Sequence, residues 1–350
     1  MSQANFENPE RWTDRFIDTP VGKIPVIKGD LEIRDKLGEL KARFGVSRMS
    51  YMVAPGLYAL GNPTSQSNVY LTANYKLTFD KVRKELTGID CWLLVLDTKG
   101  INVWCAAAKG TFSTKEVIDR IEISRLKEVV EHRTIILPML SAPGVAAFEV
   151  KRQSGFKVKF GPVRASDIGR YNQLGHKATQ EMRTVEFNLW DRAELIPMQL
   201  VLYLPMALAL ALILFLLSGL NSNGYSAGEL IQSGIRAGIF IVAAYFSGNF
   251  VTSMLLPWIP GRSFSLKGLQ IGILFTVLGI YYFRNSLNPL ESISWLVLVP
   301  ALSSFFAMNY TGSTTFASLS GVKKEIATAG RLQLVGFILG FMLWILSNFL

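Results

Sequence analysis

The chain has 350 residues, half of them hydrophobic and only 18% charged, with a net charge of +10. Charge is unevenly placed: 29 of the 36 Lys and Arg and 23 of the 26 Asp and Glu precede Pro197, leaving the last 154 positions nearly uncharged. Long stretches of that kind read as membrane spans, which excludes a wholly soluble enzyme, a secreted disulfide scaffold and a disordered protein.

No run of five or more Lys or Arg occurs, so nucleic acid is not an expected partner. Two cysteines, Cys91 and Cys105, are too few for a zinc tetrad or an iron–sulfur cluster. A reduced, cytoplasmic setting is the default for such a chain. The first residues, MSQANFENPERWTDRF, lack the basic flank and apolar core of a signal peptide, so the N-terminal part is expected to stay in the cytoplasm.

Residues 1–48 read as a lead-in segment with one amphipathic helix over 30–44, on which Leu31, Ile33, Leu37, Leu40 and Phe44 share a face and which Gly45 stops. Residues 49–196 alternate short apolar runs with helical stretches, the pattern of an α/β domain with a largely parallel sheet. Its clearest strand is Cys91–Asp97 (CWLLVLD), apolar on both faces, followed by candidates at Arg133–Leu137 and Phe156–Phe160. Between the first two, Ser113 and Glu116 open a predicted helix over 113–130, giving a βαβ unit.

Residues 197–350 form an all-α transmembrane domain of five expected spans, at about 198–219, 237–258, 266–283, 293–310 and 331–349. Arg262, Lys267, Lys323, Lys324 and Arg331 fall on one side and only Arg236 and Arg284 on the other. The positive-inside rule then gives a cytoplasmic N-terminal domain, an external C-terminus and a multi-pass protein of the cytoplasmic membrane. Glu229, Arg236, Arg284 and Glu291 all read as lying near span ends, which argues against an ion-coupled transporter.

The most informative segment is Asn102–Thr114 (NVWCAAAKGTFST), which follows the strand Cys91–Asp97 after a Thr98-Lys99-Gly100 turn. Ligands of open α/β sheets bind beyond the carboxyl ends of strands, which is where Cys105 is presented. A thiol there, near helical N–H groups and Lys109, suits a metal ligand or a nucleophile; a small packed residue beside Trp104 is the competing reading. Cys91 reads as structural, and so do His132 and His176. Thr72, Asn74 and Tyr75 either bond a ligand or pack their own turn, and Ser141-Ala142-Pro143-Gly144 lies at the same end of the sheet. Asp97 is a candidate acid or, more simply, a cap of the following turn. Asn309, Thr311, Ser313 and Thr314 form a polar cluster at the membrane boundary.

Asn102, Val103, Trp104, Cys105, Ala106, Ala107 and Lys109 resemble the signature of the membrane corrinoid protein of the mercury-methylation system, the HgcA family; Ala108 stands where that family has glycine. Val53–Tyr58, Thr72–Lys76, Leu96–Gly100, Gly161–Ala165 and Met308–Thr314 are similar to further blocks of that family. The soluble part more distantly resembles the large subunit of the corrinoid iron–sulfur protein of acetyl-CoA synthesis.

The resemblance implies a Rossmann-like corrinoid-binding domain holding a cobamide, with Cys105 as lower axial ligand to cobalt. It further implies that Asn102 to Thr111, including Ala108 and Gly110, cap that face, with Thr72, Asn74, Ser141 and Gly144 around the ring. Soft thiolate suits cobalt and favours transfer of a methyl group as a carbanion equivalent, the form that Hg(II) accepts. Implied partners are a methyl-folate-linked donor and a ferredoxin-type [4Fe–4S] reductant. Two alternatives stand beside mercury methylation: a corrinoid methyl carrier with another acceptor, of the one-carbon or acetyl-CoA type, and a membrane transport or sensing protein without a corrinoid.

Overall fold

The computed structural model describes residues 10–314 and 319–350, with Ser313 and Leu319 described by backbone alone. These fall into two compact units that meet in sequence between Glu186 and Phe187, with Arg43–Gly45 grouped with the second.

The first unit is a mixed α/β domain. It opens with an antiparallel hairpin, β1 (Thr13–Thr19) and β2 (Gly22–Ile27), followed by helix α1 (Ile33–Arg43). Next come β3 (Gly56–Leu60), β4 (Val69–Ala73), α2 (Lys76–Glu85), β5 (Cys91–Leu96), α3 (Val103–Lys109), α4 (Thr114–Ile123), the single turn α5 (Leu126–Val129) and β6 (Thr134–Leu137). The unit closes with α6 (Ala147–Ser154), β7 (Lys157–Phe160), α7 (Ile168–Gln173) and α8 (Gln180–Arg183).

The strands form one seven-stranded sheet in the order β1-β2-β3-β5-β4-β6-β7. Strands β5, β4, β6 and β7 run parallel, β3 is antiparallel to β5, and β2 follows β3. The sheet is therefore more mixed than its sequence suggests, and the first 48 residues supply two of its strands rather than a lead-in segment. β5 and β6 are parallel but not neighbours, because β4 lies between them. Every side chain of β5 is buried, as its unbroken apolar run requires of a strand covered on both faces. Leu71, Ala73, Leu94 and Leu96 face α3 and α4; Tyr70, Leu93 and Val95 face the opposite layer with Phe79 and Tyr171.

Two helices depart from expectation. The helix expected over 113–130 breaks after Ile123, where the Ser124 hydroxyl donates to the Ile121 carbonyl and Arg125 turns into the left-handed region at φ 50°. Helix α1 forms, but the face it buries carries Asp35 and Ala42, while Ile33, Leu37, Leu40 and Phe44 are exposed. Asp35 turns inward because it pairs with Lys76 at 2.9 Å and Arg83 at 2.7 Å, and Asp80 pairs with the same two cations at 2.6 and 2.8 Å.

The second unit contains five helices long and apolar enough to cross a membrane. They are α9 (Leu189–Leu217), α10 (Ala227–Phe246) continued by a π-helical turn at Ser247–Val251 and α11 (Thr252–Leu255), α12 (Phe264–Tyr282), α13 (Pro289–Asn309) and α14 (Leu319–Ser347). A two-residue-per-strand hairpin, β8 (Leu220–Asn221) with β9 (Gly224–Tyr225), joins α9 to α10. α9 begins well before Pro197, at a reciprocal cap between Asn188 and Asp191, and runs through both Pro197 and Pro205. Lys323 and Lys324 lie on α14 rather than in a loop.

α13 is the most enclosed helix, and glycines let its neighbours approach it. A Cβ at Gly272 would lie 2.7 Å from Pro300 Cα, and one at Gly248 would lie 2.5 Å from the Ser303 carbonyl. Small residues at helix contacts are what packing in lipid favours. Arg236, three turns into α10, makes a buried, two-bond ion pair with Glu291 on the first turn of α13, both contacts at 3.0 Å.

Candidate functional site

The site is built at the carboxyl ends of β4, β5 and β6. Where β5 ends, the chain must reverse to lay a helix back on the sheet, and Asn74 from the end of β4 organises that reversal. Its Oδ1 accepts the amides of Thr98 at 3.1 Å and Gly100 at 3.0 Å. The Thr98 hydroxyl donates to the Ile101 carbonyl at 2.7 Å, and Lys99 and Gly100 take left-handed conformations at φ 58° and 69°. Asp97 caps the turn: its carboxylate accepts the Lys99 amide at 3.2 Å and the Lys99 ammonium at 2.5 Å. Burial would raise the Asp97 carboxyl, but the two bonds from Lys99 and the charges of Lys99 and Arg120 outweigh it and hold the group below its ordinary value. Its bonds make it the cap of this turn.

Helix α3 then opens at Asn102, whose side chain accepts the Cys105 amide at 2.9 Å. It closes at Gly110, φ 77°, with the amides of Thr111 and Phe112 returning to the Ala106 carbonyl. Val103, Ala106 and Ala107 are buried in the core at helical spacing. Trp104 and Cys105 are half-buried and Ala108, Lys109 and Gly110 exposed, so the thiol sits on the outward face. Ala108 has ordinary helical geometry, where alanine is favoured over glycine by about 1 kcal/mol.

The other side of α3 rests on the turn over Met139–Gly144 that follows β6. Ser141 is buried and spends its hydroxyl and amide on the Pro138 carbonyl, at 2.8 and 2.9 Å. A Cβ on Gly144 would lie 2.3 Å from the Phe112 carbonyl oxygen and 3.0 Å from Ala107 Cα, so only glycine allows this approach. Ala142, half-buried, and Pro143, exposed, lie on the outer side of the turn.

The residues singled out from sequence thus separate into groups. Cys105, Trp104, Ala108 and Lys109 share the outward face of α3; Asn102, Thr111, Asn74, Ser141 and Gly144 hold that helix in place. Thr72 belongs to neither group. Strand alternation puts it with Tyr70 on the far side of the sheet from α3, fully buried, its hydroxyl without a partner among the described residues. Tyr75 is buried beside Tyr51. Sequence reasoning missed Glu116 as an organiser: its carboxylate accepts the Asp97 amide at 2.7 Å and pairs with Arg120 at 2.9 Å, linking α4 to the end of β5.

The remaining candidates are structural. Burial and the charge of Asp90 push the Cys91 thiol up to about 12. His132 Nε2 lies 2.8 Å from the Ser67 carbonyl, and His176 Nε2 3.2 Å from Asn68 Nδ2. Asn309 and Thr314 bond backbone carbonyls of their own segment, as does Thr311, while the side chain of Ser313 lies outside the described residues.

Among the described residues, no group of three or more His, Cys, Asp or Glu could hold a metal ion. A metal at Cys105 would need most of its ligands from outside these side chains, as a macrocycle would supply them. The donor set fits that case: one soft sulfur, half-exposed on a helix face that it shares with Trp104, Ala108 and Lys109.

Residues 26–172 match the family described as the CO dehydrogenase/acetyl-CoA synthase delta subunit. The N-terminal unit is corrinoid/iron–sulfur-protein-like. Similar proteins include the gamma subunit of the acetyl-CoA decarbonylase/synthase complex of Archaeoglobus fulgidus, 38% identical over 170 residues, 45% of this chain and 35% of the relative. The corresponding subunits of Methanopyrus kandleri and Methanosarcina acetivorans are 36% and 39% identical over 121 and 127 residues, covering 34% and 35% of this chain and 26% of each relative. The chain thus spans about a third or less of the length of these curated relatives. The corrinoid/iron–sulfur-protein-like domain is joined to a separate region of long apolar helices.

Proposed function

We propose that this protein is a membrane-embedded, corrinoid-binding methyl carrier whose cofactor lies against the outward face of α3, with Cys105 toward cobalt. The observation that carries this reading is a half-exposed thiol on a short helix whose opposite face is packed into the core, at the ligand-bearing end of the sheet. It is supported by the likeness of the same unit to subunits of the acetyl-CoA decarbonylase/synthase complex.

A bound cobamide would supply methyl-transfer chemistry, with a folate-linked compound as the donor. The protein's part would be to hold the Cys105 sulfur still, exclude water around it and orient the bound group. Asn102 fixes the start of the helix, Gly144 and Ser141 fix its support, and Trp104 gives a flat apolar flank beside the thiol. Ala108 keeps that face low, and Lys109 offers a donor to polar groups at the ring edge.

The acceptor favoured by the relatives is one of acetyl-CoA-type, one-carbon metabolism. A second reading, Hg(II) as acceptor, is favoured by the agreement of Asn102–Ala107 and Lys109 with the mercury-methylation signature and by five apolar helices beyond the segment shared with those relatives. In either case Cys91 and Cys105 cannot hold a cluster between them, so the reductant would be a separate ferredoxin-type [4Fe–4S] protein. The N-terminal unit would face the cytoplasm and the C-terminus the outside.

The test is the visible spectrum of the full chain reconstituted with a cobamide, compared with Cys105→Ala. A bound corrinoid whose spectrum changes on removal of the thiol is the expected result. Protein loaded with a methylated cobamide is then offered Hg(II): methylmercury formed by the native chain and lost in Cys105→Ala selects the mercury reading, and its absence leaves the acetyl-CoA-type carrier. Failure to bind corrinoid in any redox state would overturn both and bring transport or sensing forward.

A further inference from the structure

Helix α1 is folded with its polar side inward. Its inner face is bound to the domain through the Asp35 pairs with Lys76 and Arg83, and Gly38 lets the Tyr51 ring lie so close that a Cβ there would meet its hydroxyl at 2.4 Å. The outer face carries Ile33, Leu37 and Leu40 at the i, i+4, i+7 spacing of one stripe, with Phe44 following, exposed by 76%, 52%, 51% and 41%. An amphipathic helix ordinarily buries such a stripe.

The charges are arranged around it. At 3.6 residues per turn, Arg34 and Lys41 fall along one flank of the stripe and Lys36 along the other, and all three are exposed. The acids of the helix lie off the stripe, Asp35 in the buried network and Glu39 round the back. A narrow apolar stripe with cations on both shoulders suits a surface that is apolar a few ångströms down and anionic at the top. Lys and Arg stems can lie along the apolar layer while their charges stay at its edge.

We infer that α1 is an in-plane membrane-surface helix that docks the N-terminal unit on the anionic headgroups of a bilayer. The spans carried by the same chain raise the effective concentration of that bilayer, so a stripe of four side chains, too small to bind strongly alone, suffices. This inference does not depend on the cofactor or on Cys105.

The test uses the full chain in lipid nanodiscs and reads amide hydrogen exchange peptide by peptide. With anionic phosphatidylglycerol in the disc, exchange over residues 31–44 should slow by about tenfold relative to a phosphatidylcholine disc, and the slowing should disappear at high salt. It should also disappear in the triple variant Arg34→Glu, Lys36→Glu, Lys41→Glu, while peptides of β4 and β5 exchange as in the native protein. A photoreactive side chain at Leu37 should cross-link to lipid. Equal protection in neutral discs, anionic discs and detergent would mean that protein covers the stripe, and protection that rises with protein concentration would mean a second copy. Either result, or no protection at all, overturns the inference.

Discussion

The amide of Cys105 donates to Asn102 Oδ1, so the residue that opens α3 also fixes the backbone of the residue that presents the thiol. A seven-residue helix is below the length at which helices persist unaided, so α3 relies on its cap and its packed underside. Asn102→Ala should remove about 1 kcal/mol of local stability. The whole domain has other sources of stability, so the melting temperature should move little while cobamide affinity falls by about fivefold, the factor that 1 kcal/mol represents. Equilibrium titration of the full chain with a cobamide, followed in the visible, measures it. Asn102→Asp, which retains the acceptor, should recover most of the loss.

Gly144→Ala tests the support beneath that helix. The added methyl group meets two backbone atoms, neither of which can rotate away, so the turn after β6 or α3 itself must move. Overpacking of this kind costs about 1–3 kcal/mol, which should appear as a lowered melting temperature in the N-terminal unit and as a shifted corrinoid spectrum. Pro143→Ala, one residue away on the exposed side of the turn, serves as the control and should change neither.

The segment around Cys105 was legible because its determinants are local: an Asn cap, a helical run of small residues and a glycine stop lie within nine positions. The spans were legible from composition. The hairpin β1–β2 was not, because β1 (TDRFIDT) is a largely exposed strand whose polar side chains give no alternating apolar signal. Asn74 could be placed near the site but not given its role, since its partners at Thr98 and Gly100 lie more than twenty residues ahead and become neighbours only when β4 and β5 pair. The face on which Thr72 lies was not legible for a related reason. One step along a strand reverses the face, and the sequence block that contains it does not say which face looks toward α3. For α1 the spacing gave the helix correctly but not its inner side, which is set by four charged groups separated by up to 48 residues.

That charged network makes stability depend on acid in a defined window. Burial raises the Asp35 carboxyl, but the bond and charge of Lys76, the charge of Arg83 and the Glu32 amide together hold it below its ordinary value. A carboxyl lowered by folding stabilises fully above its unfolded pKa and loses that contribution as pH falls through the folded value. Thermal stability of the N-terminal unit should therefore be steady from neutrality to about pH 5 and decline below about pH 4. Lys76→Met leaves two buried carboxylates facing one guanidinium and should cost about 3–5 kcal/mol at neutral pH. The gap between variant and native protein should narrow as the carboxylates protonate. Melting curves between pH 3 and pH 7 test both statements, and a gap that is constant across that range would show that Lys76 contributes packing over the Trp12 ring rather than charge.

The ion pair between Arg236 and Glu291 poses the same question inside the helical unit. Both residues are buried, Trp295 Nε1 donates to Glu291 at 3.3 Å, and Ser233 accepts from Arg236 at 3.0 Å and donates to Glu229 at 3.0 Å. Both carboxylate oxygens of Glu291 and two of the guanidinium nitrogens of Arg236 are bonded, which fits an architectural role. In that role, Arg236→Met and Glu291→Met should each cost about 3–5 kcal/mol by stranding the other charge, and the double variant should cost much less than either. Unfolding of the full chain in detergent, followed for the native protein, both single variants and the double variant, gives the coupling energy directly. Costs that simply add would mean that the two residues act independently. A double variant that is as stable as the native chain and still transfers methyl groups assigns the pair to the fold. One that is stable but inactive gives the charges a role beyond holding the helices together.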